Sequence, residues 1–367
     1  MPVLEKIVIA DFRNIQLQEI DFSPNVNCIS GNNGEGKTNL LDAIYYMSFC
    51  KSSFVASDAY NLKHGEPFFM LQGQYVIEGE PEKVLCSYKA GSRKRLSVND
   101  KEYKRFSDHV GRIPLVMISP SDSLLVSGGS EERRRFMDVV ISQYDINYLN
   151  ALIRYDKALK QRNALLKQEE EPDAAVMDVL EGMMSQDAAL MYERRKTFVA
   201  EFLPIFQELY AKLGRSETEQ VDILYTSHGA RGNFEEIFRT GRAKERIVGH
   251  SLYGTHRDEL ELLFNGFSVK QECSQGQTKT FFITMKLAQY LFLKGKGAQR
   301  VPILLLDDIF DKLDATRVNK IVQYVSGADF GQIFITDTHR EHLDSILSST
   351  QKEYKLYTVV DGVVHEE

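Results

Sequence analysis

The sequence predicts an α/β fold in which a mainly parallel sheet carries a phosphate-binding loop and is interrupted by a long helical insertion. Three observations predict it. The octapeptide Gly31-Asn32-Asn33-Gly34-Glu35-Gly36-Lys37-Thr38 fits the pattern G-x-x-x-x-G-K-[ST] without a mismatch. Far downstream, the apolar run Val301-Pro302-Ile303-Leu304-Leu305-Leu306 ends in Asp307-Asp308. Between them, 131–167 holds neither glycine nor proline and has a helical stripe of Leu149, Leu152, Tyr155, Leu159, Leu165 and Leu166.

The octapeptide sits between Val26-Asn27-Cys28-Ile29-Ser30, which reads as a short buried strand, and the segment 39–49, where Leu40, Leu41, Ile44 and Met47 recur at helical spacing. Strand, loop and helix in that order make an anion site. The loop N–H groups turn inward and the helix N-terminus adds partial positive charge. Gly31, Asn32, Asn33, Gly34, Glu35, Gly36, Lys37 and Thr38 are the expected nucleotide ligands. Lys37 is expected to neutralise the β/γ-phosphates of ATP, and Thr38 to hold Mg²⁺ through its hydroxyl. A glycine-rich turn with a surface lysine is the plain alternative, and the flanking strand and helix weigh against it.

Beyond the loop, 83–88 and 95–98 read as strands around the turn Asn99-Asp100, and Leu115-Val116-Met117-Ile118 as another strand. The helical stretch 131–167 is broken by Gln168-Glu169-Glu170-Glu171-Pro172-Asp173. A second long helix is expected from about 175 toward 214, with Leu180, Met183, Met184, Leu190 and Met191. Two helices joined by an acidic turn make a short antiparallel arm, their apolar stripes facing one another. From 221 to 296 the chain is expected to return through one or two strands to a helix with Thr280, Ile283, Leu287 and Leu291 on one face.

The run ending at Asp307-Asp308 has the character of a central parallel strand, and the carboxyl ends of such strands are where α/β sheets bind ligands. This is a Walker B pattern. Asp307 is the expected Mg²⁺ ligand with Thr38, and Asp308 the group that orients or deprotonates water. A helix from 314, a strand 332–336 and a hairpin over 354–364 around Asp361-Gly362 complete the nucleotide-binding head. Alone, an apolar strand ending in Asp-Asp is more often a strand entering a polar loop; the phosphate loop makes the pair informative.

Cys273-Ser274-Gln275-Gly276-Gln277 resembles the signature motif of ABC-type ATPases, with a simple helix N-cap at Ser274 as the alternative. The resemblance implies that Ser274, Gly276 and Gln277 serve the ATP of a second subunit, and that Phe310-Asp311-Lys312-Leu313-Asp314 is a D-loop. After the strand 332–336 that class places a histidine, but here Asp337 follows and the nearest histidine is His339. The γ-phosphate sensor stays open between them. The fold class expected is thus an ABC-type P-loop ATPase head with an inserted α-helical lobe bearing a short antiparallel arm. The head takes 1–118 and 297–367, and the lobe takes 119–296 with its arm at about 138–213.

The chain resembles the RecF family over essentially its whole length. The resemblance is carried by Asp11-Phe12-Arg13-Asn14 on an N-terminal strand, the loop continuing through Asn39-Leu40-Leu41-Asp42-Ala43-Ile44, Arg133-Arg134-Arg135-Phe136-Met137-Asp138, Gly254-Thr255-His256-Arg257-Asp258, and the signature and Walker B residues. It implies a nucleotide role for Arg13 and catalytic roles for Lys37, Asp308 and Ser274. It further implies weak, DNA-stimulated ATP hydrolysis, ATP-dependent homodimerisation on gapped or junction DNA, and recombinational repair and replication-fork recovery after DNA damage, with RecR- and RecO-type partners. A transporter ATPase, a chromosome-structural SMC-like ATPase and a small-molecule kinase are the other classes. The Phe12-Arg13-Asn14 start and the helical arm weigh against the first, the arm's short length against the second, and the Ser274 motif, which would have no role there, against the third.

At 367 residues, with 43% hydrophobic and 26% charged residues, the chain is globular. No apolar stretch approaches the roughly 20 residues of a membrane span, which points to the cytoplasm and no membrane partner. Cys28, Cys50, Cys86 and Cys273 lack metal-ligand spacing. A net charge of −7 argues against a chain coated for DNA, yet basic clusters occur at 93–95, 101–105, 133–135 and 194–196. Each alone reads as a solvated face; a DNA surface completed when two subunits close reconciles them with the acidic total.

Overall fold

A computed structural model describes residues 1–214, 218–297, 301–310, 315–327, 329–341, 343–344 and 353–367. They divide into two compact units, Met1–Asp122 with Ile283–Glu367, and Ser123–Phe282. The helix Gln275–Lys296 runs from the second unit into the first.

The first unit holds two six-stranded sheets. One is antiparallel and begins with Val3–Phe12, which pairs with Ile15–Asp21 on one side and Phe68–Ile77 on the other. Glu80–Lys89, Arg95–Val98 and Lys101–Glu102 follow outward. Arg13 and Asn14 lie past the first strand, in the turn closed by the Phe12–Ile15 pair, and Arg13 has a φ of 54°. The other sheet is parallel except at one edge, in the order Val363–Glu366, Tyr354–Val360, Val26–Ser30, Ile333–Asp337, Ile303–Asp307, Leu115–Ile118. Its central strands Val26–Ser30, Ile333–Asp337 and Ile303–Asp307 are buried at every position, as a strand covered on both faces must be.

The helix Lys37–Phe49 packs against both sheets. This is why its sequence is apolar nearly all round and why Leu40 through Cys50 are buried without exception. Tyr46 of this helix meets Phe12 and Phe69 edge-on, with ring centroids 6.0 and 5.6 Å away. The antiparallel sheet therefore grips the phosphate-loop helix directly.

In the second unit, 131–167 is two helices, Ser130–Ser142 and Ile146–Leu166, where the sequence suggested one continuous stripe. Asp145 caps the second, accepting from the N–H groups of Asn147 and Tyr148 at 2.9 and 3.1 Å. Ile146–Leu166 pairs antiparallel with Ala174–Leu213, as Arg154–Asp187 and Arg162–Glu181 show. The seam differs from the expected one. Leu149, Leu152, Leu159 and Leu165 are only half-buried, whereas Tyr148, Ala151, Tyr155, Ala158 and Arg162 are buried. Short alanines bring the helices close, and Arg162 is neutralised in the interior by Glu181 at 2.8 Å and Glu245 at 2.6 Å. Glu245 belongs to a helix, Phe234–Val248, that the sequence did not suggest. Three antiparallel strands, Val221–Thr226, Glu259–Phe264 and Phe267–Ser268, complete the unit.

Two of the four basic clusters are largely spent inside this unit. Arg195 is buried against Asp138 and Asp258, Arg194 pairs with Asp145, Arg133 with Glu259, and Arg134 donates to the carbonyl of Asp258.

His256 is also interior chemistry. Its Nδ1 lies 2.8 Å from the Tyr155 hydroxyl and its Nε2 3.2 Å from the Ser251 carbonyl, so the neutral ring donates from Nε2. Burial, helped by Arg257, Arg134 and Arg162, pulls its pKa down to about 4. The unfolded ring titrates near ~6.5, so the unfolded chain binds the extra proton between these values. Stability contributed by His256 is therefore complete above about pH 6.5 and is lost as pH falls toward 4. In urea titrations, His256→Gln is expected to flatten the acid-side loss by up to ~1.4 kcal/mol per pH unit. Identical slopes for variant and parent would contradict the assignment.

Candidate nucleotide-binding site

The buried strand Val26–Ser30 delivers the chain to Gly31 at the carboxyl end of the parallel sheet. Gly31 has a φ of 151°, and a Cβ there would stand 2.6 Å from the carbonyl oxygen of Val359 on the next strand. At Gly36, φ is 118° and a Cβ would meet Asn14 Nδ2 at 2.7 Å. Only glycine fits at either position. Because Gly36 supplies no side-chain cap, the first-turn N–H groups of Lys37–Phe49 stay directed out of the helix, where an anion binds. Asn32, Asn33 and Gly34 are exposed along the same loop.

Glu35 is tied from two sides. Its carbonyl accepts from Asn14 Nδ2 at 2.9 Å and from Gly362 N at 2.8 Å, and its carboxylate accepts from Asp361 N. Asn14 also accepts from Asn39 Nδ2 at 2.7 Å. Arg13 lies beneath the helix start, donating to Asp42 at 2.7 Å, Ser52 Oγ at 3.0 Å, and Asn39 and Asn61 at 3.2 Å each. Burial pushes the Asp42 carboxyl up from its usual range, and the Arg13 charge opposes this. Every guanidinium nitrogen of Arg13 is engaged here with protein, so in this structure Arg13 braces the loop and helix.

Lys37 is 4% exposed, and its Nζ donates to the carbonyls of Gly31 at 2.8 Å and Asn32 at 3.1 Å. Asp308 Oδ2 is 3.8 Å away. Thr38 Oγ1 lies 3.0 and 2.9 Å from the two carboxylate oxygens of Asp307. The strand register makes this possible. Asp307 pairs with Thr336, Thr336 with Ile29 and Asp337 with Ser30, so three carboxyl ends are level.

Thr336 is a site residue the sequence reading passed over. It is fully buried, donates to Asp307 Oδ1 at 2.8 Å and accepts from Asp308 N at 3.1 Å. One hydroxyl thus aims one carboxylate and fixes the backbone of the other. That backbone needs fixing, since Asp308 has a φ of 48°, in the left-handed region. Burial raises the Asp307 pKa, while the hydrogen bonds from Thr336 and Thr38 pull it down. A lone threonine inside an apolar strand carries no signal in sequence; only the pairing register reveals its role.

Thr38 and Asp307 offer hard oxygen donors close enough together to share one cation, and Mg²⁺ favours one or two carboxylates completed by phosphate and water. The donor set fits that ion. No cluster of three His, Cys, Asp or Glu side chains suited to a metal exists among the described residues. Asp337 is buried and accepts from His339 N at 2.7 Å, whereas the His339 ring is exposed. Of the expected D-loop, only Phe310 is described; Asp311, Lys312, Leu313 and Asp314 lie outside the described residues.

In the second unit, Ser274 and Gln277 form a reciprocal capping box on the helix Gln275–Lys296. Ser274 N donates to Gln277 Oε1 at 3.0 Å, and Gln277 N to Ser274 Oγ at 3.3 Å. Gln277 Nε2 donates to Glu219 at 3.0 Å. The capping alternative is realised, and Ser274 remains exposed with Gly276 half-exposed beside it.

Residues 3–365 match the family described as the RecF/RecN/SMC N terminal domain. Over 365 residues the chain is 52% identical to the DNA replication and repair protein RecF of Phocaeicola vulgatus, covering 99% of this chain and 98% of that one. With the protein of the same name from Porphyromonas gingivalis it shares 48% over 366 residues, 99% and 100% of the two chains. Among solved structures it is similar to one described as the recombination mediator protein RecF-ATP in the RecFOR pathway, at a TM-score of 0.89 and 26% identity over 100% of this chain and 98% of that one. An Smc head domain from Pyrococcus furiosus, at a TM-score of 0.59 and 17% identity over 100% and 96%, shares the fold.

Thr336→Val keeps the shape and removes the hydroxyl. Turnover of ATP is expected to fall about 10–100-fold, the usual cost of losing an outer-shell partner, with nucleotide affinity preserved and Thr336→Ser restoring the rate. Full activity in the valine variant would refute a positioning role.

Proposed function

The chain belongs to the RecF family of the RecF/RecN/SMC proteins, and on that premise we propose that it is an ATP-dependent DNA-binding protein acting in recombinational DNA repair and replication-fork recovery. The single observation that carries the ATP part is the buried Lys37 ammonium. It is held by two loop carbonyls, next to a helix N-terminus with no side-chain cap and level with the Thr38–Asp307 pair. The DNA part comes from the relatives' name and from the mediator role stated for the RecF structure.

On binding, the β/γ-phosphates take the place of the Gly31 and Asn32 carbonyls as partners of Lys37 Nζ. Loop N–H groups from 31–36 and the first helical turn hold the remaining oxygens. Thr38 and Asp307 hold Mg²⁺, which supplies charge neutralisation at the phosphates. Asp308 accepts a proton from the attacking water as its oxygen bonds to the γ-phosphorus, and ADP leaves. Asp337 or His339 senses the γ-phosphate.

The nucleotide is sandwiched in a homodimer. Ser274, Gly276 and Gln277 of a second copy cover the ATP held on the first. Binding closes the dimer on gapped or junction DNA, and slow, DNA-stimulated hydrolysis opens it, so ATP acts as a switch ligand. RecR- and RecO-type proteins are the partners. Its site of action is the cytoplasm, with the DNA; no helix among the described residues is long and apolar enough to cross a membrane.

Lys37→Ala is expected to lose ATP binding and, with it, ATP-dependent retention on gapped DNA in sedimentation. Wild-type affinity in this variant would remove the phosphate-loop assignment. Asp308→Asn keeps Asp307 and is expected to slow single-turnover hydrolysis about 10²-fold while the DNA complex persists. An unchanged hydrolysis rate would move the base role to another carboxylate.

A further inference from the structure

The two basic clusters of the antiparallel sheet differ from those of the second unit. Phe68 pairs with Lys89 across two strands, and the turn after Lys89 carries Arg93. Arg93 Nη2 donates to the Lys104 carbonyl at 3.0 Å, so the turn lies against the returning segment that carries Lys104 and Arg105. Lys89, Arg93, Lys104 and Arg105 are all exposed, and none makes a salt bridge among the described residues. Glu102, which feels the charge of Arg93, is already held by Arg95 at 3.2 and 2.9 Å. Phe68, across from Lys89, is 44% exposed. In a chain of net charge −7, this concentration of unspent positive charge is local.

Lys94, between Arg93 and Arg95, points inward. Its Nζ donates to the carbonyl of Cys50, which ends the phosphate-loop helix, and pairs with Asp58 at 3.0 Å. Tyr46 of the same helix donates to Asp58 at 2.5 Å, and the Lys94 ammonium lies 5.0 Å from the Tyr46 ring centroid. A cation at a helix C-terminus complements its dipole. The cluster is therefore joined, through one adjacent residue, to the far end of the helix whose N-terminus faces the nucleotide.

We infer that this end of the antiparallel sheet is a DNA backbone-binding surface, with Lys89, Arg93, Lys104 and Arg105 on phosphates and Phe68 offering a stacking face to an unpaired base. Exposed cations on one sheet end that also presents an exposed ring are the combination that binds single strands and gaps. The inference rests on the DNA-binding reading above and adds to it the location and a route of coupling to the nucleotide site through Lys94.

The test uses full-length protein with saturating ATP, a gapped DNA duplex and an RNA duplex of matching sequence. Lys89, Arg93, Lys104 and Arg105 are replaced together by alanine. A control of equal charge change replaces Lys157, Lys160, Arg239 and Lys244. The sheet variant is expected to bind ATP normally and gapped DNA at least about tenfold more weakly, with log K against log salt shallower by about 2 to 4, near 0.9 for each lost duplex contact. Unchanged DNA affinity and slope, in a protein whose parent binds gapped DNA, overturns the surface and leaves the function standing. Equal loss in the control overturns it in favour of net charge, and tighter binding of the RNA duplex overturns DNA as the ligand. A parent protein that binds no DNA with ATP removes the function and this surface together.

Discussion

A buried ammonium must be surrounded by oxygen, and the phosphate site is organised around that need. Lys37 is nearly inaccessible, and two loop carbonyls are its hydrogen-bond partners. Those carbonyls point inward only because Gly31 and Gly36 adopt backbone conformations closed to other residues, with Val359 and Asn14 packed where a Cβ would be. The loop is in turn held by Asn14 from the antiparallel sheet and by Asp361 and Gly362 from the last hairpin. Residues more than 300 positions apart thus converge on one loop, one from each sheet.

The same sheet sets the acidic side of the site. Because Ile333–Asp337 lies between the loop strand and the Walker B strand, its Thr336 can reach both Asp307 and Asp308. Arg13 works beneath the helix as Thr336 works within the sheet. It spans Asn39, Asp42, Ser52 and Asn61 and fixes the first helical turns against the antiparallel sheet. The residues proposed to contact nucleotide are held by partners that are themselves fixed in the two sheets, the arrangement a switch needs if γ-phosphate contacts are to move anything.

Much of this was legible in sequence, for reasons that are local. The strand Leu115–Ile118 and the run before Asp307-Asp308 announce themselves because a strand covered on both faces is apolar nearly throughout, and Val26–Ser30 because the glycine-rich loop follows it directly. The ABC-type head with an inserted helical lobe follows from their order. Properties that depend on register or on long-range pairing were not legible. Thr336 is one. The break before Asp145, the alanine and arginine seam of the paired helices and the helix Phe234–Val248 are others, since Arg162 inside a core makes sense only once Glu181 and Glu245 are seen beside it. Arg195 likewise reads as a surface cation until Asp138 and Asp258 enclose it.

In the proposed mechanism ATP joins two copies, each supplying half of every site. In the free chain Ser274 only caps its own helix, so the claim stands on what a second copy does. The most direct measurement mixes Ser274→Arg, whose Lys37 and Thr38 are intact, with Lys37→Ala, whose Ser274 is intact, and follows mass by light scattering as ATP is added. Ser274→Arg is expected to bind ATP but stay monomeric alone, Lys37→Ala neither to bind ATP nor to dimerise, and the mixture to form heterodimers holding one ATP. Normal ATP-dependent dimerisation of Ser274→Arg by itself would contradict it.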